Sequence, residues 1–149
     1  MKFLKILFLI SMFSQSFNAF SQIFEEKKDI IITFGSDYET GLDSNGNHYL
    51  AYNDTLWSDT SGKYNRTFLL YFTNIEDNLE VCSHMKVLEP ASEKDNIITF
   101  YDREMEKLDA FYWKDPQTNY LYELEIIDPF SVLYIWFDDG KNHKKNPSK

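Results

Sequence analysis

From Asp29 to Phe137 the chain is a succession of apolar, β-branched and aromatic runs, and most of the breaks between them are too short to hold a crossover helix. Strands joined by such short connections must pair antiparallel with their neighbours, because a parallel pair needs a connection of a dozen or more residues. That restricts the chain to an all-β architecture of seven or eight strands, mainly antiparallel. It can close as a small barrel, lipocalin-like or similar, or pack as a two-layer sandwich, since either arrangement hides a sheet face.

The runs themselves carry the pattern. Asp29–Phe34 is β-branched and aromatic, which predicts a strand. Gly35–Asn47 reads as a polar loop with three glycines, leading into a run from His48 to Trp57. Arg66–Thr73 is apolar or aromatic on both faces, as a central strand is, and Leu79–Leu88 follows after a hairpin-like Asn74–Asn78. Asn96–Tyr101 predicts a fifth strand, and Asp95–Phe100 loosely echoes Asp29–Phe34. Arg103–Trp113 is ambiguous: it admits a short helix near 102–109 or a sixth strand from about Leu108. The cleanest alternation is Tyr120–Ile127, with Tyr120, Tyr122, Leu124 and Ile126 on one face and Glu123 and Glu125 on the other. Val132–Phe137 is apolar on both faces and is stopped by Asp138, Asp139 and Gly140.

Ahead of these runs stands a leader. Lys2 and Lys5 precede the apolar stretch Leu4–Phe13, and Ala19 and Ser21 place small side chains before Gln22, the pattern of a cleaved secretory signal peptide over residues 1–21. The stretch is about half the roughly 20 apolar residues that a membrane helix needs. No cysteine lies near the cut. The expectation is a soluble, non-lipidated protein, secreted or periplasmic and not membrane-spanning, with one β domain over 22–139 and a disordered basic tail over 140–149.

Charge narrows the partners. Residues 22–139 hold nine Lys and Arg against twenty-four Asp and Glu, a net charge of −15, which disfavours nucleic acid and permits a cationic partner. Cys82 is the sole cysteine, so no internal disulfide forms and the fold depends on its core. Strict alternation through Leu79–Val87 places Cys82 beside Glu80, His84 and Lys86, opposite Val81, Met85 and Val87.

Motifs for chemistry are scarce. There is no nucleophile elbow, zinc-protease motif, phosphate loop or dinucleotide fingerprint, so no catalytic residue is assigned. Asp37, Asp43, Asn45 and Asn47 form the best metal candidate, a partial calcium loop in which oxygen ligands alternate before Gly46. Asp102, Glu104 and Glu106, and Glu123 with Glu125, are the carboxylate groupings that a hydrolase could use as general acid and base. Tyr49, Tyr52, Trp57, Tyr101 and Trp113 are the aromatic residues picked out for ligand binding, since planar side chains at a barrel mouth can stack on a sugar or apolar ligand. The functional expectation is a non-enzymatic exported domain that binds a small ligand or a protein. The alternatives are an extracytoplasmic hydrolase using a carboxylate pair and a structural or assembly protein of the cell envelope.

Overall fold

The structure, a computed structural model, describes residues 22–140 apart from Asp77. The leader, 1–21, and the tail beyond Gly140 lie outside the described residues. The elements follow one another as helix α1 (Lys27–Phe34), strands β1 (Glu39–Leu42), β2 (His48–Ser58), β3 (Gly62–Asn74) and β4 (Glu80–Pro90), helix α2 (Lys94–Glu104), then β5 (Glu106–Asp109), β6 (Tyr112–Lys114), β7 (Tyr120–Ile127) and β8 (Phe130–Phe137). A 3-10 turn, Ala91–Glu93, leads directly into α2.

All eight strands form one antiparallel sheet in the order β1-β2-β3-β4-β8-β7-β6-β5. The order reads as two meanders of four strands, each introduced by a helix, joined where β4 pairs with β8. Strands β1 and β5 form the edges and do not meet, so the sheet is not closed into a barrel. The layered alternative is the one realised, with helices as the covering layer. Both edge strands are short and carry charges at Glu39, Glu106, Lys107 and Asp109, which discourages further strands from adding there.

Two runs expected to be strands are helices. Asp29–Phe34 lies in α1, and Asn96–Tyr101 lies in α2, where the single short helix was expected eight residues later. Their β-branched composition favours a strand locally, but β propensity is context-dependent, and helical stability in proteins comes mainly from packing an apolar stripe. At helical spacing Ile30 and Phe34 turn to the core together, as do Ile97 and Tyr101. Gly35, at φ 90°, ends α1, and its N–H bonds Ile31 O at 2.9 Å.

Both helices lie on one face of the sheet. Leu50, Tyr52, Phe68, Leu70, Met85, Val87, Trp113, Tyr122, Leu124, Leu133 and Ile135 meet them there and form the main core. Each helix is preceded by a segment bonded near the start of its own fourth strand: Phe24 N–H to Cys82 O at 2.8 Å, and Ala91 N–H to Pro129 O at 2.9 Å.

Strand β1 was hidden in the expected 35–47 loop. It is only four residues long, and Gly41 sits where Tyr49 from β2 lies across the backbone, so any side chain at 41 would collide with the Tyr49 ring.

Alternation also fails at Cys82. Phe72 pairs with Cys82 and Tyr71 pairs with His84, leaving Ser83 as an extra residue in a β-bulge. The bulge rotates Cys82 onto the helix-covered face with Met85 and Val87, away from His84 and Lys86. There the thiol is fully buried and donates to His84 O at 3.6 Å.

Candidate functional site

The opposite face of the sheet has no helix on it among the described residues, and the strand register builds it row by row. Tyr49, Tyr71, His84, Trp136 and Leu121 stand across β2, β3, β4, β8 and β7 in one row. The next row holds Leu69, Lys86, Tyr134, Glu123 and Tyr112. Below it come Leu88, Val132 and Glu125, and then Pro90, Phe130 and Ile127.

The upper rows cover themselves. Tyr71 stacks on the His84 ring at 4.5 Å, with the planes 6° apart, and Tyr49 leans on Tyr71 at 5.5 Å. Tyr112 stacks on Trp136 at 6.0 Å. The Lys86 ammonium lies 4.9 Å from the Tyr71 ring centre and 5.4 Å from that of Tyr134, a cation held between two π faces. The lowest row is open: Phe130 is 45 % and Ile127 48 % exposed, and Trp57, on the same face at the far end of β2, is 65 % exposed.

Charge on this face is shaped by burial. His84, 8 % exposed, accepts or donates at Nδ1 with Ser83 Oγ at 2.9 Å, while its Nε2 is buried without a partner. Burial, reinforced by Lys86 and only partly offset by Asp43, holds the imidazole down at about 4, so it is neutral at pH 7. Lys86 is likewise lowered by burial against the pull of Asp43 and Glu125. Tyr134 is pushed up to about 12 by burial and by neighbouring Glu125.

The five aromatics singled out from sequence part company. Tyr49 belongs to the helix-free face but is committed to Gly41 and Tyr71. Trp57 is presented to solvent on that face. Tyr52 and Trp113, on the sheet, and Tyr101, on α2, are buried in the core between the sheet and the helices. Tyr52 donates from its hydroxyl to Gly35 O at 3.1 Å, and Trp113 Nε1–H donates to Asp102 Oδ1 at 2.7 Å. The residues that sequence reading left out of the site are Tyr71, His84, Lys86, Tyr134, Trp136, Ile127 and Phe130. Their signal was present: Arg66–Thr73 and Val132–Phe137 are apolar on both faces, although one helix layer covers only one of them.

The expected calcium ligands fold onto themselves. Asp43 Oδ1 accepts the N–H groups of Asn45 and Asn47 at 2.9 Å each, and Oδ2 accepts Asn47 Nδ2 at 3.0 Å, which closes the turn around Gly46. Burial raises the Asp43 carboxyl, but the bonds from Asn47 and Asn45, with Lys86 nearby, bring it below its ordinary value. Asp37 is exposed and outside this turn. Among the described residues no group of three or more His, Cys, Asp or Glu is placed to hold a metal ion.

The carboxylates also separate. Asp102 and Glu104 are in the last turn of α2 rather than along a strand with Glu106, and Asp102 binds Lys107 at 2.7 Å as well as Trp113. Glu123 and Glu125 stand on the helix-free face, as the alternation implies. Two further carboxylates, Glu89 and Glu93, are buried under the helix layer. Glu89 takes Arg66 Nε at 2.8 Å and the Tyr64 hydroxyl at 3.0 Å. Glu93 takes Ser58 Oγ at 2.6 Å and Asn96 Nδ2 at 2.9 Å. Burial raises Glu93, yet hydrogen bonds from Ser58, Ser61 and Asn96 and the charge of Arg66 outweigh it and leave the carboxyl below its ordinary range. Such a fully bonded network ties the β2–β3 hairpin to α2. Cys82 is equally quiet: burial pushes its thiol up to about 12.

Compared with known proteins, the chain matches no family model, no curated protein and no solved structure.

Proposed function

We propose that this chain is an exported, non-enzymatic domain that binds another protein through the helix-free face of its sheet. The observation that carries the reading is the asymmetry of the two faces. One is sealed by α1 and α2, whereas the other is apolar across its central strands and ends in the exposed side chains Ile127, Phe130 and Trp57. Exposed apolar surface rimmed by polar groups is characteristic of a docking site. Trp57 stands three strands away from Phe130, a span of about 14 Å at ordinary strand spacing, so the surface suits an extended partner better than a compact ligand. The neutral, stacked His84 and the caged Lys86 give the middle of the face a fixed shape, which lowers the ordering cost of association.

The test is a selection of random peptides displayed on phage against residues 22–149. Binders are expected to lose affinity for the Ile127→Ser/Phe130→Ser and Trp57→Ser variants and to keep it for Ile32→Ser, a change at a 78 % exposed residue of α1. Binders that respond to Ile32→Ser and ignore the other variants overturn the reading.

A further inference from the structure

We propose that the ribbon formed by the end of β2 and the start of β3 binds a neutral oligosaccharide, laid along Asn53, Thr55 and Trp57; this goes beyond the protein-docking reading and shares only Trp57 with it. The register puts six side chains of the ribbon on the helix-free face: Asn53 opposite Thr67, Thr55 opposite Asn65, and Trp57 opposite Lys63. All are exposed except the half-buried Thr67. The two Asn–Thr pairs are reciprocal across the strands. Thr67 Oγ1–H donates to Asn53 Oδ1 at 2.6 Å, and Thr55 Oγ1–H donates to Asn65 Oδ1 at 3.2 Å. Each bond uses an amide oxygen and a hydroxyl proton, so an Nδ2 donor group from each Asn and the oxygen lone pairs of each Thr are left for a ligand. Neither Nδ2 has a protein partner among the described residues.

The ribbon is braced from behind. Pairing of β3 with β4 ends at Thr67 and Leu88, and β1 reaches along β2 only to Ala51, so residues 55–58 and 62–65 project as two strands alone. Such a ribbon is marginal by itself. Here its other face is bonded to the body: Ser58 Oγ to Glu93 at 2.6 Å, Ser61 Oγ to Ser92 Oγ at 2.6 Å, and the Tyr64 hydroxyl and Arg66 Nε to Glu89 at 3.0 and 2.8 Å. The Asn, Thr and Trp side chains are therefore carried on a fixed platform, which lowers the ordering cost of binding. Their chemistry fits a sugar. The Trp57 indole, 65 % exposed, is a planar apolar surface on which the C–H face of a pyranose ring stacks. Beside it, amide donors and hydroxyl acceptors match ring hydroxyls, which both donate and accept. From Asn53 to Trp57 the strand runs about 14 Å at ordinary rise, room for more than one ring. Neutrality follows from charge: Lys63 is the only charged side chain of the six, and the net charge of −15 over residues 22–139 repels acidic glycans.

The experiment runs residues 22–149 through native gels that contain a soluble neutral polysaccharide: a mixed-linkage β-glucan, an arabinoxylan, a galactomannan or a dextran. At least one of these is expected to retard the protein, and polygalacturonate, the acidic control, to leave it unretarded. Titration calorimetry with the hexasaccharide of the retarding polymer should then give an affinity that salt does not change, because no ion pair is formed. Trp57→Ala and Asn53→Ala/Asn65→Ala, checked for intact folding by circular dichroism, should each bind at least about tenfold more weakly. Trp57→Phe should keep most of the affinity, and Ile32→Ser, on α1, all of it. Retardation by none of the neutral polymers, stronger retardation by polygalacturonate, or full affinity in either the Trp57→Ala or the Asn variant overturns the proposal. The phage-selected peptides test the other reading separately, since Ile127 and Phe130 lie outside the ribbon.

Discussion

The two halves of the sheet solve one packing problem with different chemistry. In the first half Phe34, at the end of α1, lies 5.2 Å from the Tyr52 ring on the second strand, and Tyr52 bonds back to the backbone carbonyl of Gly35, the residue after Phe34. In the second half Tyr101 on α2 lies 5.6 Å from the Trp113 ring, again on the second strand, and Trp113 bonds back to the side chain of Asp102, the residue after Tyr101. Helix aromatic, strand aromatic and following acceptor occupy the same relative places. The sequence echo, however, aligns Phe34 with Phe100, one residue away from its packing counterpart Tyr101. What the halves share is therefore a device for fixing a helix to a sheet, and the residues filling it are free to differ.

The second-half lock is the more deeply set. Tyr101 is buried and also touches Phe100 and Tyr122, whereas Phe34 is half-buried. Tyr101→Ala is expected to cost about 3–5 kcal/mol in urea unfolding, and Phe34→Ala about 2 kcal/mol. Equal costs would mean that the locks are equivalent after all.

Acid should strain the halves unequally, since residues 91–137 contain no histidine while His84 stands in the first half. His84 resists protonation when folded, so between its ordinary value of 6.5 and about 4 the unfolded chain binds more protons than the native one. Stability is expected to fall across that window as pH drops, by on the order of 3 kcal/mol in all. His84→Phe should remove this component, read as the difference between the two pH profiles of urea unfolding; parallel profiles would show that the imidazole titrates normally.

Smaller changes sharpen the comparison further. Tyr52→Phe removes one hydroxyl and should cost about 1 kcal/mol. The acceptor in the second half titrates: hydrogen bonds from Lys107 and Trp113 hold Asp102 below the ordinary carboxylate range of 3.8. That lock should persist above pH 3.8 and loosen as pH falls through the lower folded value, visible as a shift of the Trp113 indole N–H resonance. A resonance that titrates above pH 3.8 contradicts the assignment. Least of all, Ser131→Ala should change stability by no more than about 0.5 kcal/mol, because the Ser131 hydroxyl is fully buried without a partner and has no bond to lose.

The long strands that pair on both sides were legible, whereas β6, three residues in the ambiguous stretch around Trp113, was not. Tyr120–Ile127 was read with the bounds of β7, and the faces of Glu123 and Glu125 followed from alternation alone. The helices were not, because Ile-Ile-Thr-Phe favours a strand until a sheet is present for Ile30, Phe34, Ile97 and Tyr101 to pack on. Strand β1 escaped because a four-residue edge containing glycine carries no periodicity. Most of the candidate site was illegible for a related reason. Its members are far apart in sequence, and only register brings Tyr49, Tyr71, His84 and Trp136 into one row. Large aromatics signal burial and presentation alike, so Tyr52 and Trp57 looked equivalent until one was seen beneath α1 and the other in solvent.

The bulge at Ser83 acts on the strand as a frameshift acts on a message. Upstream of it the reading of inside and outside is reversed, and the only thiol of the chain falls on the inner side. Were Ser83 drawn into the ladder instead of bulging out, Cys82 would come back in phase with His84 and Lys86, on the helix-free face. In oxidising surroundings, two such molecules could then be tied together covalently through the very face that the native chain keeps free of sulfur.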